Sequence, residues 1–129
     1  MKRLVLDSNA LISLFDGDAS VADAMAEAER ILIPAVVLGE VRLGFNGTRR
    51  AKEAERALNR LLERPNVEVW PVTEETASFF VSVMRLLLEK GTPIPTDDVW
   101  IAAGVLEAGA VLFSRDRHFE RIPTLRLIG

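Results

Sequence analysis

At 129 residues, 49% hydrophobic and 27% charged, the chain has the size and composition of one globular domain, 1–129, and not of a disordered or fibrous protein. The absence of cysteine excludes disulfides, thiolate catalysis and thiolate metal sites, so any metal is expected on oxygen ligands. A net charge of −3 lacks the basic surplus of a passive nucleic-acid binder, although clustered carboxylates would lower the total while local basic stripes still guide a phosphate backbone. No run of about eighteen apolar residues and no signal-peptide pattern occurs, so a cytoplasmic chain without a membrane partner is expected.

The first element is Leu4-Val5-Leu6, an apolar run ending in Asp7-Ser8-Asn9, which reads as a buried strand delivering Asp7 to its carboxyl end. In an open α/β sheet that edge is where ligands bind. The alternative is that Asp7 or Ser8 caps the helix starting near Ala10. A second helix is expected from Ser20 to Arg30, opened by a Ser20 cap, with Val21, Ala24, Met25 and Ala28 inward. Ile31-Leu32-Ile33, stopped by Pro34, reads as the next strand. From Ala35 to Gly44, Val36, Val37, Leu38, Val41 and Leu43 nearly surround a helix, which implies substantial burial around Glu40. A carboxylate there needs a partner or a cation.

Beyond the turn at Asn46-Gly47, a helix from Arg49 to Arg64 opposes an apolar face (Ala54, Ala57, Leu58, Leu61, Leu62) to a basic stripe of Lys52, Arg56, Arg60 and Arg64. The stripe is either a solvated face braced by Glu53, Glu55 and Glu63 or a contact for an RNA backbone. Val67-Glu68-Val69-Trp70 alternates as a strand. Thr73 caps a helix to Lys90 whose Phe79, Phe80, Val83, Leu86 and Leu87 supply core, and Gly91 ends it. After Pro93-Ile94-Pro95, Thr96 or Asp97 is expected to cap a helix through Trp100 to Gly109. Ala110 to Phe113 is a strand ending in Ser114-Arg115-Asp116, and Leu125 to Ile128 reads as an edge strand. Trp70 and Trp100 read as structural, and His118, the only histidine, as local packing beside Phe119.

The alternation of strands and helices predicts an α/β fold with a central, mostly parallel sheet flanked by helices. Short loops and right-handed crossovers would bring Asp7, Glu40, Asp98 and Asp116 to one sheet edge, with Asp97 as a further acid. Gathered carboxylates repel unless a cation neutralises them, and an all-oxygen set favours Mg²⁺ or Mn²⁺. Such a centre suits phosphodiester hydrolysis. Asp7, Asp98 and Asp116 are the candidate ligands, Glu40 a ligand or the group that orients water, and Asn9 and Ser114 polar supports. Arg42, Arg49, Arg50, Arg56 and Arg115 are candidate RNA contacts.

Four segments together, Leu-Val-Leu-Asp7-Ser-Asn9-Ala-Leu-Ile, Ile-Pro-Ala-Val-Val leading to Glu40, Pro-Thr-Asp-Asp98-Val-Trp-Ile-Ala-Ala and Phe-Ser-Arg-Asp116-Arg-His-Phe-Glu-Arg-Ile, resemble the PIN domain of VapC-type toxin ribonucleases, in order and over essentially the whole chain. The resemblance implies a Rossmann-like three-layer fold and a Mg²⁺- or Mn²⁺-dependent endoribonuclease acting on tRNA or rRNA. It also implies homodimerisation, inhibition by a cognate VapB-type antitoxin, and Asp7, Glu40, Asp98 and Asp116 as the acidic quartet. The doubled Asp97-Asp98 departs from relatives that often carry Asn first, and leaves Asp97 as cap or extra ligand open. Other readings are a non-toxin PIN nuclease and a receiver-like signalling or binding module. The second would need paired acids near the start and a late strand-end lysine, and no lysine follows Lys90. A haloacid-dehalogenase-like phosphatase would need a general acid where Asn9 stands.

Overall fold

A computed structural model describes residues 1–129. The elements run β1 (Arg3–Leu6), α1 (Ser8–Phe15), α2 (Ala19–Glu27), β2 (Arg30–Pro34), α3 (Ala35–Phe45), α4 (Ala51–Leu62), β3 (Val67–Trp70), α5 (Glu74–Lys90), α6 (Thr96–Ala108), β4 (Val111–Phe113), a 3₁₀ turn at Arg117–Arg121 and β5 (Arg126–Ile128). The strands form one five-stranded sheet in the order β3-β2-β1-β4-β5, and every pairing is parallel. This is the Rossmann-like α/β arrangement expected. With right-handed crossovers, the reversal of strand order at β1 puts helices on both faces.

Residue type follows position in the sheet. In the central strands Leu4, Val5, Leu6 and Ile31, Leu32, Ile33 are buried on both faces, so they read as unbroken apolar runs. The edge strand β3 alternates, with Val67 buried and Val69 exposed, and β5 on the other edge begins at exposed Arg126. Pro71 just after β3 does no harm at an edge.

The helix ends differ from expectation in instructive ways. Of the two caps expected for α1, Asp7 takes the place, its side chain accepting from the Ala10 amide at 2.8 Å, and Ser8 does not. α2 is capped by Asp18, which accepts from the Ser20 amide at 2.9 Å, and it ends before Arg30, which already belongs to β2. Neither Thr96 nor Asp97 caps α6. Pro95 takes the cap position without a side-chain hydrogen bond, its carbonyl accepting from Asp98 and Val99, and Asp97 and Asp98 both lie inside the first turn. There their charges complement the positive end of the helix.

Burial of α3 is one-sided: Val37 and Val41 are inside, Val36 and Leu38 are half-buried, and Leu43 is 74% exposed. On α5, Val83 and Leu87 are inside but Phe79 is exposed, and Leu88 is 65% exposed. Phe80 does pack, stacked on Trp100 of α6 with ring centroids 4.1 Å apart. Trp70 donates its Nε1 proton to Glu107 at 3.0 Å, and the same Glu107 oxygen accepts from the buried Thr76 hydroxyl at 2.7 Å. Both tryptophans are therefore structural, and Glu107 links β3, α5 and α6. No helix is long and apolar enough to cross a membrane.

Candidate functional site

The strand order reverses between β1 and β4, and the crevice of a parallel sheet opens beyond the carboxyl ends at such a point. Asp7 stands there because β1 ends at Leu6 and α1 begins at Ser8, so it must serve both as strand terminus and as helix cap. It is 4% exposed. Its Oδ1 takes the Ala10 amide, and its Oδ2 accepts a short hydrogen bond from the Ser114 hydroxyl, one residue beyond β4. The Ser114 oxygen in turn accepts from the Asp116 amide at 3.0 Å, and Asp116 Oδ1 accepts from the His118 amide at 2.9 Å. A chain of hydrogen bonds thus fixes the acids at the ends of β1 and β4 relative to each other.

Glu40 and Asp98 come from helices. Glu40, on α3, accepts from the Ser8 hydroxyl at 2.7 Å, which supplies the partner that a carboxylate on that helix needs. Asp98, in the first turn of α6, lies with Oδ2 3.1 Å from His118 Nδ1. The same nitrogen is 3.1 Å from Asp116 Oδ1. The crevice is lined by Asp7, Ser8, Asn9, Glu40, Asp97, Asp98, Asp116 and His118, with Pro95 and Ile101. All four acids singled out by position therefore meet, and Asp97 joins them. Asn9 lies at the exposed rim with no side-chain hydrogen bond, whereas Ser114 holds both Asp7 and Asp116.

Burial pushes the Asp7 carboxyl above its ordinary value of 3.8; the Ser114 and Ala10 hydrogen bonds oppose this, and the charge of Asp116 adds to it. Burial likewise raises Asp98, against the His118 hydrogen bond and with the charge of Asp116. Glu40 is raised by burial, then lowered by the Ser8 hydrogen bond and raised again by Asp97. No lysine or arginine lines the crevice. Five acids with a single histidine and no fixed cation fit a divalent ion, and ligand atoms of Asp98, Asp116 and His118 lie within 4.8 Å of one another.

His118 and Ser8 are the residues that sequence reasoning misplaced. Phe119, 1% exposed, does the local packing, and His118 turns from it toward the acids. No signal in the sequence set His118 apart from Phe119, because the spacing does not say which of two neighbours faces the core. None of the candidate RNA-contact arginines lines the crevice. Arg42 pairs with Glu55 at 3.0 Å, Arg50 with Glu53 at 3.4 Å, and Arg115 with Asp18 at 2.8 Å while lying over the Phe113 ring. Arg49 and Arg56 are exposed without ion pairs. Because Glu53 and Glu55 are taken by Arg50 and Arg42 and Glu63 makes no ion pair, the Lys52, Arg56, Arg60, Arg64 stripe lacks the bracing considered for it.

A doubly wound, all-parallel α/β domain with an acidic crevice at its switch point is the class that fold and site define together. The chain belongs to the PIN domain family, whose model matches residues 4–125. It is 28% identical to ribonuclease VapC1 of Haemophilus influenzae (strain R2866) over 127 residues, 95% of this chain and 93% of that one. Among solved structures it is similar to VapBC-1 from nontypeable Haemophilus influenzae (TM-score 0.83, 25% identity, 98% and 96% of the two chains covered). It is also similar to a chain of DNA-bound VapBC from Salmonella typhimurium (TM-score 0.86, 23% identity, 99% and 98% covered). Membership of this family sets aside the receiver-like and phosphatase readings.

Proposed function

We propose that this chain, as a single domain over 1–129, is a Mg²⁺- or Mn²⁺-dependent endoribonuclease and the toxin of a VapBC-type toxin–antitoxin pair. The observation that carries the reading is the meeting of Asp7, Glu40, Asp98 and Asp116 in one crevice with no lysine or arginine to neutralise them. Relatives named ribonuclease VapC1 and likeness to VapBC complexes support the substrate class and the partner.

Asp98 and Asp116, with Asp7 beside them, would hold the ion. When bound, it supplies positive charge for phosphate oxygens and makes water a stronger acid. The rest falls to the chain. Ser8 fixes Glu40 at Oε1, leaving the carboxylate oriented to take a proton from water attacking phosphorus as the ribose oxygen leaves. Ser114 keeps Asp7 aligned with Asp116 throughout. Glu40, raised by burial, is a better proton acceptor than an exposed glutamate.

The stripe along α4 and just beyond it, with Arg49, is exposed and free of ion pairs, and supplies the cations available to an RNA backbone, tRNA or rRNA being the expected substrate. Exposed Leu43 and Leu88 support homodimerisation through apolar helical surface, which light scattering checks. A cytoplasmic location agrees with an RNA substrate. The function itself is tested by incubating the purified chain with total RNA: fragments are expected with Mg²⁺ or Mn²⁺ and none after EDTA, and EDTA-resistant cleavage would overturn the metal dependence.

A further inference from the structure

We propose that His118 is a direct ligand of the divalent ion, joining Asp98 and Asp116 through Nδ1, so that the centre is a mixed nitrogen and oxygen site selective for Mn²⁺ over Mg²⁺. This rests on the metal-dependent reading above and adds to it a ligand outside the acidic quartet.

The geometry of the turn carries the inference. Asp116 accepts the His118 amide at 2.9 Å, which places the ring and the carboxylate on the same side of the 3₁₀ turn, while Phe119 anchors the turn in the core. His118 is thereby directed into the crevice, its side chain 40% exposed and so open to an ion. Nδ1 sits at equal distance, 3.1 Å, from Asp98 Oδ2 and Asp116 Oδ1. Two donors on adjacent corners of an octahedron with bonds of about 2.1 Å are about 3.0 Å apart, so both separations have the length of a coordination edge. A neutral imidazole has one proton to offer at Nδ1 and cannot give a full hydrogen bond to two carboxylates at once. An ion shared by the three donors satisfies all of them.

The chemical consequence follows from donor type. Carboxylates alone suit Mg²⁺ and Mn²⁺ alike, whereas an imidazole nitrogen is a donor for first-row transition ions, a series whose weakest member is Mn²⁺ and to which Mg²⁺ does not belong. Substituting one oxygen by Nδ1 therefore tilts the site toward Mn²⁺.

The test is pulsed electron paramagnetic resonance of Mn²⁺ bound to the untagged full-length chain, beside titration of Mn²⁺ and Mg²⁺ affinity. Because the chain has one histidine, imidazole ¹⁴N modulation on the bound Mn²⁺ is assignable to His118 without isotope labelling. The expected result is ¹⁴N modulation in the wild type, absent in His118→Gln, with Mn²⁺ affinity lowered at least about tenfold and Mg²⁺ affinity lowered less. Bound Mn²⁺ without ¹⁴N modulation in the wild type would overturn the histidine ligand and leave the acidic centre standing. No bound Mn²⁺ in either protein would overturn the acidic centre as well.

Discussion

Ser114 and Asp7 lock the ends of β4 and β1 together: the Ser114 hydroxyl donates to Asp7 Oδ2 while Asp7 Oδ1 caps α1 through the Ala10 amide. The two oxygens of this buried carboxylate thus have separate tasks, Oδ1 capping α1 and Oδ2 tying β1 to β4 where the crevice opens. Substitution separates them. Asp7→Asn retains a good cap and should keep the fold while abolishing RNA cleavage, whereas Asp7→Ala should in addition lose about 1 kcal/mol of stability. Urea unfolding of the two variants checks the difference; equal stability losses would contradict the double role.

Removing the other partner acts on the acid limb of the pH profile. The Ser114 hydrogen bond holds the Asp7 pKa down against burial, so Ser114→Ala should raise it further. Cleavage that requires ionised Asp7 then loses activity at low pH sooner, its acid limb moving to higher pH, and the maximum rate should fall about 10- to 100-fold. A pH–rate profile with an unmoved acid limb would contradict this.

Crowded acids also shape stability. Asp7 and Asp98 have folded-state pKa values above the ordinary 3.8, and Glu40 is raised above 4.5, so their ionisation favours the unfolded chain. The cost is absent below the ordinary values and grows as pH rises through the raised folded-state values. Free of metal, the protein should accordingly lose less stability on acidification toward about pH 4 than ordinary surface carboxylates would allow, and Asp98→Asn should raise its Tm at about pH 7. Added Mn²⁺ should raise the wild-type Tm at neutral pH and do so much less for Asp98→Asn. Thermal melts in EDTA and in Mn²⁺ measure both, and a lower Tm for metal-free Asp98→Asn would contradict the account.

Glu107 tests the scaffold independently of the site. It accepts from Trp70 Nε1 and from the Thr76 hydroxyl, so Glu107→Ala leaves two donors without an acceptor and should cost about 1–3 kcal/mol. Glu107→Gln retains an acceptor oxygen and should lose less. Denaturant unfolding distinguishes them.

The arginines divide by partner. Arg56 has no ion pair, whereas Arg42 is engaged by Glu55. If α4 meets the RNA backbone, Arg56→Ala should weaken binding of a catalytically inactive chain and reduce the salt slope of log K by about 1. Arg42→Ala should change it less, and an unaltered slope for Arg56→Ala would remove α4 from the interface.

The central strands were legible because strands buried on both faces must be apolar throughout, and the acids because each interrupted such a run or an apolar helix. Asp7, Glu40, Asp98 and Asp116 needed only the parallel topology to meet. What stayed hidden depends on distances that no local pattern encodes. Ser8 looked like a cap, but Asp7 takes that place and frees its hydroxyl for Glu40, 32 residues away. His118 beside Phe119 looked like packing because spacing alone does not say which neighbour faces inward. Phe79 and Leu43 were expected in the core, yet α5 packs chiefly on α6 and α3 buries one side only, so the apolar residues turned away from those neighbours are exposed.

The most direct test of the central claim is RNA cleavage by wild type and Asp98→Asn, each treated with EDTA and then titrated with Mn²⁺ or Mg²⁺, with circular dichroism confirming that both are folded. The account predicts that wild-type cleavage is absent in EDTA and restored by either ion, and that Asp98→Asn stays inactive at every metal concentration. Cleavage by the EDTA-treated wild type, or equal cleavage by folded Asp98→Asn, would contradict it.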